Sequence, residues 1–136
     1  MKFCWSGWEA IFLWLVLFIM KKVYYLSSCS TCKRIMDDLG NLISSFQKQD
    51  IKTEAMTLKQ IDEMKARSGS YESLFSRKAM KFRTMGLSER QLTEADYREL
   101  IAQEYTFLKR PVFILNDKIF IGNSAKVIEA LRAELS

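Results

Sequence analysis

Apolar residues change their spacing several times between Lys21 and the C-terminus, and each change marks an element. Residues 23–26 are a short β-branched and aromatic run and read as a buried strand. A turn follows at residues 27–29. From Ser30 on, Ile35, Met36, Leu39, Leu42, Ile43 and Phe46 recur at helical spacing. They predict a helix of about five turns, from Ser30 to near Gln49. Residues 51–56 read as a second strand. Thr57 and Gln60 have capping-box spacing, and Ile61 and Met64 follow on one face of the helix they open. Ser68-Gly69-Ser70 breaks that helix, and residues 71–86 are expected to be helical again. Thr93 opens another helix, with Tyr97, Leu100 and Ile101 on its inner face. After Arg110-Pro111, residues 112–115 read as a strand, Asn116-Asp117 as a turn and residues 119–121 as the return strand. A last helix carries Val127, Ile128 and Leu131 on its apolar face. The order is β-α-β, a helical middle, then β-β-α, an α/β chain with no visible repeat or linker.

The first twenty residues, MKFCWSGWEAIFLWLVLFIM, break with this pattern. Residues 10–20 are an uninterrupted apolar run, short of the roughly 20 residues that span a membrane. Counting from Phe3 reaches that length only by including Ser6, Gly7 and Glu9. As a signal peptide the segment has a weak positive start, and no A-x-A-like site follows. Residues 26–29, LSSC, look like a lipobox, but two lysines and Tyr24-Tyr25 separate them from the apolar run. The expectation is therefore an N-terminal extension over residues 1–20, either a mis-start ahead of Met20 or a marginal anchor. As an anchor it would leave Lys21-Lys22, and the domain after them, on the cytoplasmic side. Residues 21–136 are expected to form one domain, with a helical insertion at about residues 58–107.

Composition narrows the chemistry. A chain of 136 residues, 49% hydrophobic and 27% charged, can bury its own core. Its net charge of +5 favours anionic ligands, but most basic residues read as a solvated face, and no direct contact with nucleic acid is expected. Histidine is absent, which removes the usual general base and the commonest metal ligand. Three cysteines cannot build a disulfide framework. They fit a reduced compartment, the cytoplasm, in which a thiol pair cycles.

Two of those cysteines, Cys29 and Cys32, form a CxxC between the first strand and the first helix. That context points to a thioredoxin-like fold, in which the last two strands form a hairpin. A helix starting near Ser30 puts Cys29 at its N-terminal end, where free N–H groups and the helix dipole stabilise a thiolate. Lys33 and Arg34 add positive potential. Cys32, on the first turn, is placed to resolve a mixed disulfide on Cys29. Half of a zinc site is the weaker reading, because Cys4 is the remaining cysteine and there is no histidine; no metal is expected. Two merely packed cysteines are the plain alternative. Arg110-Pro111 is the second part of the constellation. In a thioredoxin-like fold a proline just before a strand is cis and packs against the redox cysteines. Arg110 beside it suits an oxyanion or a carboxylate, and its plain alternative is a surface ion pair.

These residues carry a resemblance. SSCSTCKR near the start, LFSRKAMKFRTMGL in the middle and FLKRPVFILNDKIFIGNSAKVIEAL at the end together resemble the ArsC family, over about residues 21–133. That family includes glutaredoxin-dependent arsenate reductases and the Spx transcriptional regulators. The resemblance implies a nucleophilic cysteine at Cys29 and oxyanion-holding arginines at Arg77 and Arg110. It departs from the reductases in two places. Their third arginine has no counterpart, since residues 118–124 read KIFIGNS, and Cys32 stands where they commonly have another residue. One missing charged ligand costs on the order of 1.5–3 kcal/mol of polyanion binding.

Three readings follow from the resemblance. The first is an arsenate reductase-like thiol oxidoreductase. Its catalytic residues are Cys29 and Cys32, and Arg77, Arg110 and Pro111 form its substrate-binding side. It takes a small oxyanion or thiol substrate, holds no bound cofactor, and draws electrons from glutathione, glutaredoxin or thioredoxin. The second is a Spx-like redox-sensing regulator that binds the RNA polymerase α subunit, because SCSTC is close to the Spx motif. The third is a family member whose cysteines only pack.

Overall fold

The computed structural model describes residues 20–136. The apolar extension expected over residues 1–20 lies outside the described part except for Met20. Among the described residues no helix is long and apolar enough to cross a membrane.

A four-stranded sheet has the order β2-β1-β3-β4. Strand β1 is Lys21–Tyr25, β2 is Gln47–Asp50, β3 is Val112–Leu115 and β4 is Lys118–Ile121. Strand β1 pairs parallel with β2 and antiparallel with β3, and β3 pairs antiparallel with β4. The hairpin loop is Asn116-Asp117, and Asn116 takes a positive φ of 58°, a region in which asparagine is among the more tolerant residues.

Alternation along the central strands divides the core between two layers. Val23, Phe113 and Leu115 face α1 (Ser30–Leu39) and α5 (Ala125–Leu135), where Ile35, Leu39 and Leu131 are buried against them. Tyr24, Val112 and Ile114 face the opposite layer. That layer is built by the segment between β2 and β3, which holds α2 (Leu58–Ser68), α3 (Met80–Thr84) and α4 (Glu94–Gln103). Ile61, Met64, Tyr97 and Ile101 supply its buried face. The observed order is the expected one: β-α-β, helices, β-β-α in a thioredoxin-like arrangement.

Three element boundaries differ from the sequence reading. The first helix stops at Leu39 instead of running to Gln49. Gly40 turns the chain at φ 47°, and a 3-10 turn over Gly40–Ile43 keeps Ile43 on the core side. The apolar period continues past the break because the same core is still being covered. The second strand lies at Gln47–Asp50, ahead of the expected residues 51–56. It is a sheet edge with Gln49 as its buried side chain, so it lacks an apolar strand signature. Residues 71–86 are not one helix. They form a 3-10 turn at Glu72–Leu74, an extended step at Phe75 that bridges Leu108, and the short α3.

Candidate active site

Cys29 is the N-cap residue of α1. Its backbone N–H donates to the Leu26 carbonyl at 3.0 Å, closing the turn that follows β1. Its sulfur makes no formal side-chain cap bond. Partial burial pushes its pKa up, yet the net shift is downward. The backbone N–H and the thiol of Cys32, the positive charge of Arg110 and the Thr31 N–H together favour the thiolate. Cys32 meets the opposite environment. It is fully buried, and burial pushes its thiol up to about 11 despite the Leu26 backbone. The nearby Cys29 sulfur also keeps it protonated. Both cysteines are free thiols.

Cys29 opens into a cleft of about 570 Å³. Arg77 and Arg110 line the same cleft, together with Ser76, Lys78, Lys109, Asn123 and Ser124. The bridge between Phe75 and Leu108 brings the two arginines to one place. Ser76 N–H donates to Phe107 O at 2.7 Å and Lys109 N–H to Leu74 O at 2.8 Å. Behind this bridge Phe75 stacks on Phe107 with ring centroids 4.9 Å apart. Pro111 is buried at the start of β3, its peptide bond with Arg110 is cis, and its carbonyl accepts the Gly122 N–H at 2.9 Å.

The two arginines are held differently. Arg77 donates to Glu72 Oε1 at 3.0 Å and to Tyr97 Oη at 2.8 Å. Arg110 has a long contact of 3.5 Å from Nη1 to the Thr106 carbonyl and lends its charge to both thiols. Asn123 and Ser124, which follow β4, also reach the cleft. Ser124 is also the N-cap of α5 and accepts from Val127 N–H at 3.3 Å. Among the described residues there is no group of three or more His, Cys, Asp or Glu side chains placed to hold a metal.

Cys29, Arg77 and Arg110 therefore share one cleft, with Cys32 and Pro111 buried next to it. The sequence reading did not single out Lys78, Lys109, Glu72 or the hydroxyl role of Tyr97. Lys109 was within sight as the neighbour of Arg110. Tyr97 was read as a core residue, which it also is, at 5% exposure.

Solved structures resemble this fold. The YFFB protein is 22% identical with a TM-score of 0.74, covering 86% of this chain and 100% of its own. A "possible arsenate reductase" from Streptococcus mutans UA159 is 26% identical with a TM-score of 0.68, covering 84% of this chain and 98% of its own. An "ArsC family related protein" from Bacteroides fragilis is 19% identical with a TM-score of 0.71, over 84% and 98%. A comparison with curated protein sequences finds no match. The ArsC family model matches residues 24–131, from the end of β1 through the CxxC and both cleft arginines to most of α5. This chain belongs to the ArsC family.

Proposed function

We propose that the chain is a thiol oxidoreductase of the arsenate reductase type, with Cys29 as nucleophile and Arg77 and Arg110 as oxyanion holders. The observation that carries this reading is a thiolate-favouring cysteine in one cleft with two arginines. Such a site suits attack on a small anionic electrophile. In the proposed sequence the Cys29 sulfur bonds to the arsenic of arsenate, and one oxygen leaves as water. A second thiol then attacks the Cys29 sulfur and the S–As bond breaks. Its electron pair goes to arsenic, which leaves as arsenite, and the two sulfurs remain as a disulfide. Cys32 or glutathione is the second thiol, and glutathione, glutaredoxin or thioredoxin reduces the disulfide. This chemistry fits a cytoplasmic setting, where such reductants are kept reduced.

Asn123 and Ser124 belong to the segment in which the resemblance finds no third arginine; they can donate hydrogen bonds to the cleft but carry no charge. The expected consequence is weak arsenate binding, with KM affected more than the chemical step.

A second reading is favoured by the Cys32 thiol, which is buried one helical turn from Cys29 and electrostatically linked to its sulfur. The pair can close on itself, losing two electrons and two protons to an outside oxidant. That would serve a Spx-like switch whose partner is the RNA polymerase α subunit. One experiment separates the readings: arsenate turnover with glutathione and glutaredoxin, and α-subunit binding by the reduced and oxidised chain, each for wild type, Cys29→Ser and Cys32→Ser. The oxidoreductase reading expects Cys29→Ser to abolish turnover, and Cys32→Ser to spare it where glutathione is the second thiol and to lower it where Cys32 is. Absence of turnover with every thiol system would remove that reading. Redox-dependent α-subunit binding lost in Cys32→Ser would establish the switch.

A further inference from the structure

Arg77 is gripped from outside the cleft by two partners of different charge. Both hydrogen bonds use the same nitrogen, Nη2: 3.0 Å to Glu72 Oε1 and 2.8 Å to Tyr97 Oη. The donors on Nη1 and Nε are not spent on these bonds, so the guanidinium keeps a second edge for a ligand. Tyr97 is a rigid neutral support. Its ring lies 4.9 Å from that of Phe75, and the Arg77 guanidinium sits 5.7 Å from the Tyr97 ring centroid. Glu72 brings a full negative charge to the same guanidinium, and both ends of that pair are about half exposed.

We propose that Glu72 is a specificity-determining residue: its carboxylate weakens the pull of Arg77 on anions, so that the cleft favours a doubly charged group over a singly charged one by less than its basic residues alone would give, while Tyr97 orients the same guanidinium without opposing the ligand. The repulsion grows with the charge of the ligand, because Coulomb energy scales with the product of the charges. It is partly screened, because the pair is open to water. The inference rests on the reading of Arg77 as an anion holder, but not on arsenate as the substrate.

The test compares two alkylating probes of similar size at Cys29, iodoacetate and iodoacetamide. In both, the thiolate sulfur forms the new S–C bond and iodide leaves. The thiolate fraction is common to both probes, so it cancels in the ratio of their rates, and what remains is the attraction of the cleft for a carboxylate. Glu72→Gln should raise the iodoacetate-to-iodoacetamide ratio about two- to fivefold, the size a half-exposed ion pair allows. Tyr97→Phe keeps the ring, removes the hydroxyl and should lower the ratio. Both changes should shrink at about 1 M salt, where the screening length falls to roughly 3 Å. Sulfate should protect Cys29 from iodoacetamide better in Glu72→Gln than in wild type, with a smaller gain for acetate.

An unchanged or lowered ratio in Glu72→Gln would overturn the proposal, since Glu72 would then orient Arg77 as Tyr97 does. Equal gains for sulfate and acetate would remove the effect of Glu72 on charge preference. Arg77→Gln without effect on the ratio would remove the anion-holding reading itself. A raised ratio in Glu72→Gln together with no arsenate turnover would keep the role of Glu72 and discard only arsenate.

Discussion

Cys29 and Cys32 lie three positions apart yet sit in opposite surroundings. At the mouth of the cleft, N–H groups, the Cys32 thiol and Arg110 overcome the cost of burial at Cys29. One turn inside, burial dominates at Cys32 and lifts its thiol to about 11. The surroundings thus bias Cys29 toward the thiolate and Cys32 toward the thiol, the division that the proposed attack and resolution would use. The linkage signs are opposite. The lowered pKa of Cys29 stabilises the folded chain above the ordinary thiol value, ~8.5, and that contribution is lost as pH falls through the folded-state value. The raised pKa of Cys32 withdraws stability as pH climbs from ~8.5 toward about 11. Alkylation by iodoacetamide, followed residue by residue by peptide mass, should therefore rise at Cys29 at lower pH than for a free thiol. Cys32 should stay protected until far more alkaline conditions. Equal rate–pH profiles at the two sulfurs would refute the division of roles and favour cysteines that merely pack.

At the scale of elements, a cap in α2 does two jobs. Thr57 accepts from Gln60 N–H at 3.1 Å, and the Gln60 side chain accepts from Thr57 N–H at 3.1 Å. The same Gln60 amide exchanges hydrogen bonds of 2.8 and 3.2 Å with the buried Gln49 on edge strand β2. The cap therefore ties the inserted helical layer to the edge of the sheet. Thr57→Ala is expected to cost about 1 kcal/mol, read as a lower urea midpoint at constant slope. The alkylation rate of Cys29 should stay the same, because the cap lies outside the cleft lining. A change in that rate would show that the insertion is coupled to the cleft through β2.

For the whole molecule, the decisive contact joins segments far apart in sequence. Phe75 and Leu108 bridge, the Phe75 and Phe107 rings stack, and Arg77 and Arg110 are carried to one cleft. Phe107 is fully buried in this junction. Truncating it to alanine removes both packing and the stack, at an expected cost of about 3–5 kcal/mol. Denaturant unfolding would measure the loss. In the fraction that remains folded, the preference of Cys29 for iodoacetate should fall as the arginines lose their common support. A Phe107→Ala protein with wild-type stability would mean that the aromatic junction does not hold the two halves together.

Signals that act within a turn of chain were legible from the residues alone. The Thr57 capping box, the helix start at Thr93, the CxxC at a helix start and the Asn116-Asp117 hairpin depend on neighbours within about four positions, so the residues announce them. Family motifs extended this to Arg77 and Arg110. The sequence could not announce where α1 ends, because Leu42 and Ile43 keep the helical period although Gly40 has already turned the chain. Nor could it reveal β2, whose polar residues become a strand only because β1 offers an edge to pair with. The tertiary structure alone decided that residues 71–86 would abandon a continuous helix. Leu74 and Phe75 are adjacent and both buried, and the hydrogen bonds on either side of Phe75, Lys109 N–H to Leu74 O and Ser76 N–H to Phe107 O, reach more than thirty residues along the chain. That long-range pairing is what sets Arg77 beside Arg110 in front of Cys29 and gives it Glu72 and Tyr97 as partners.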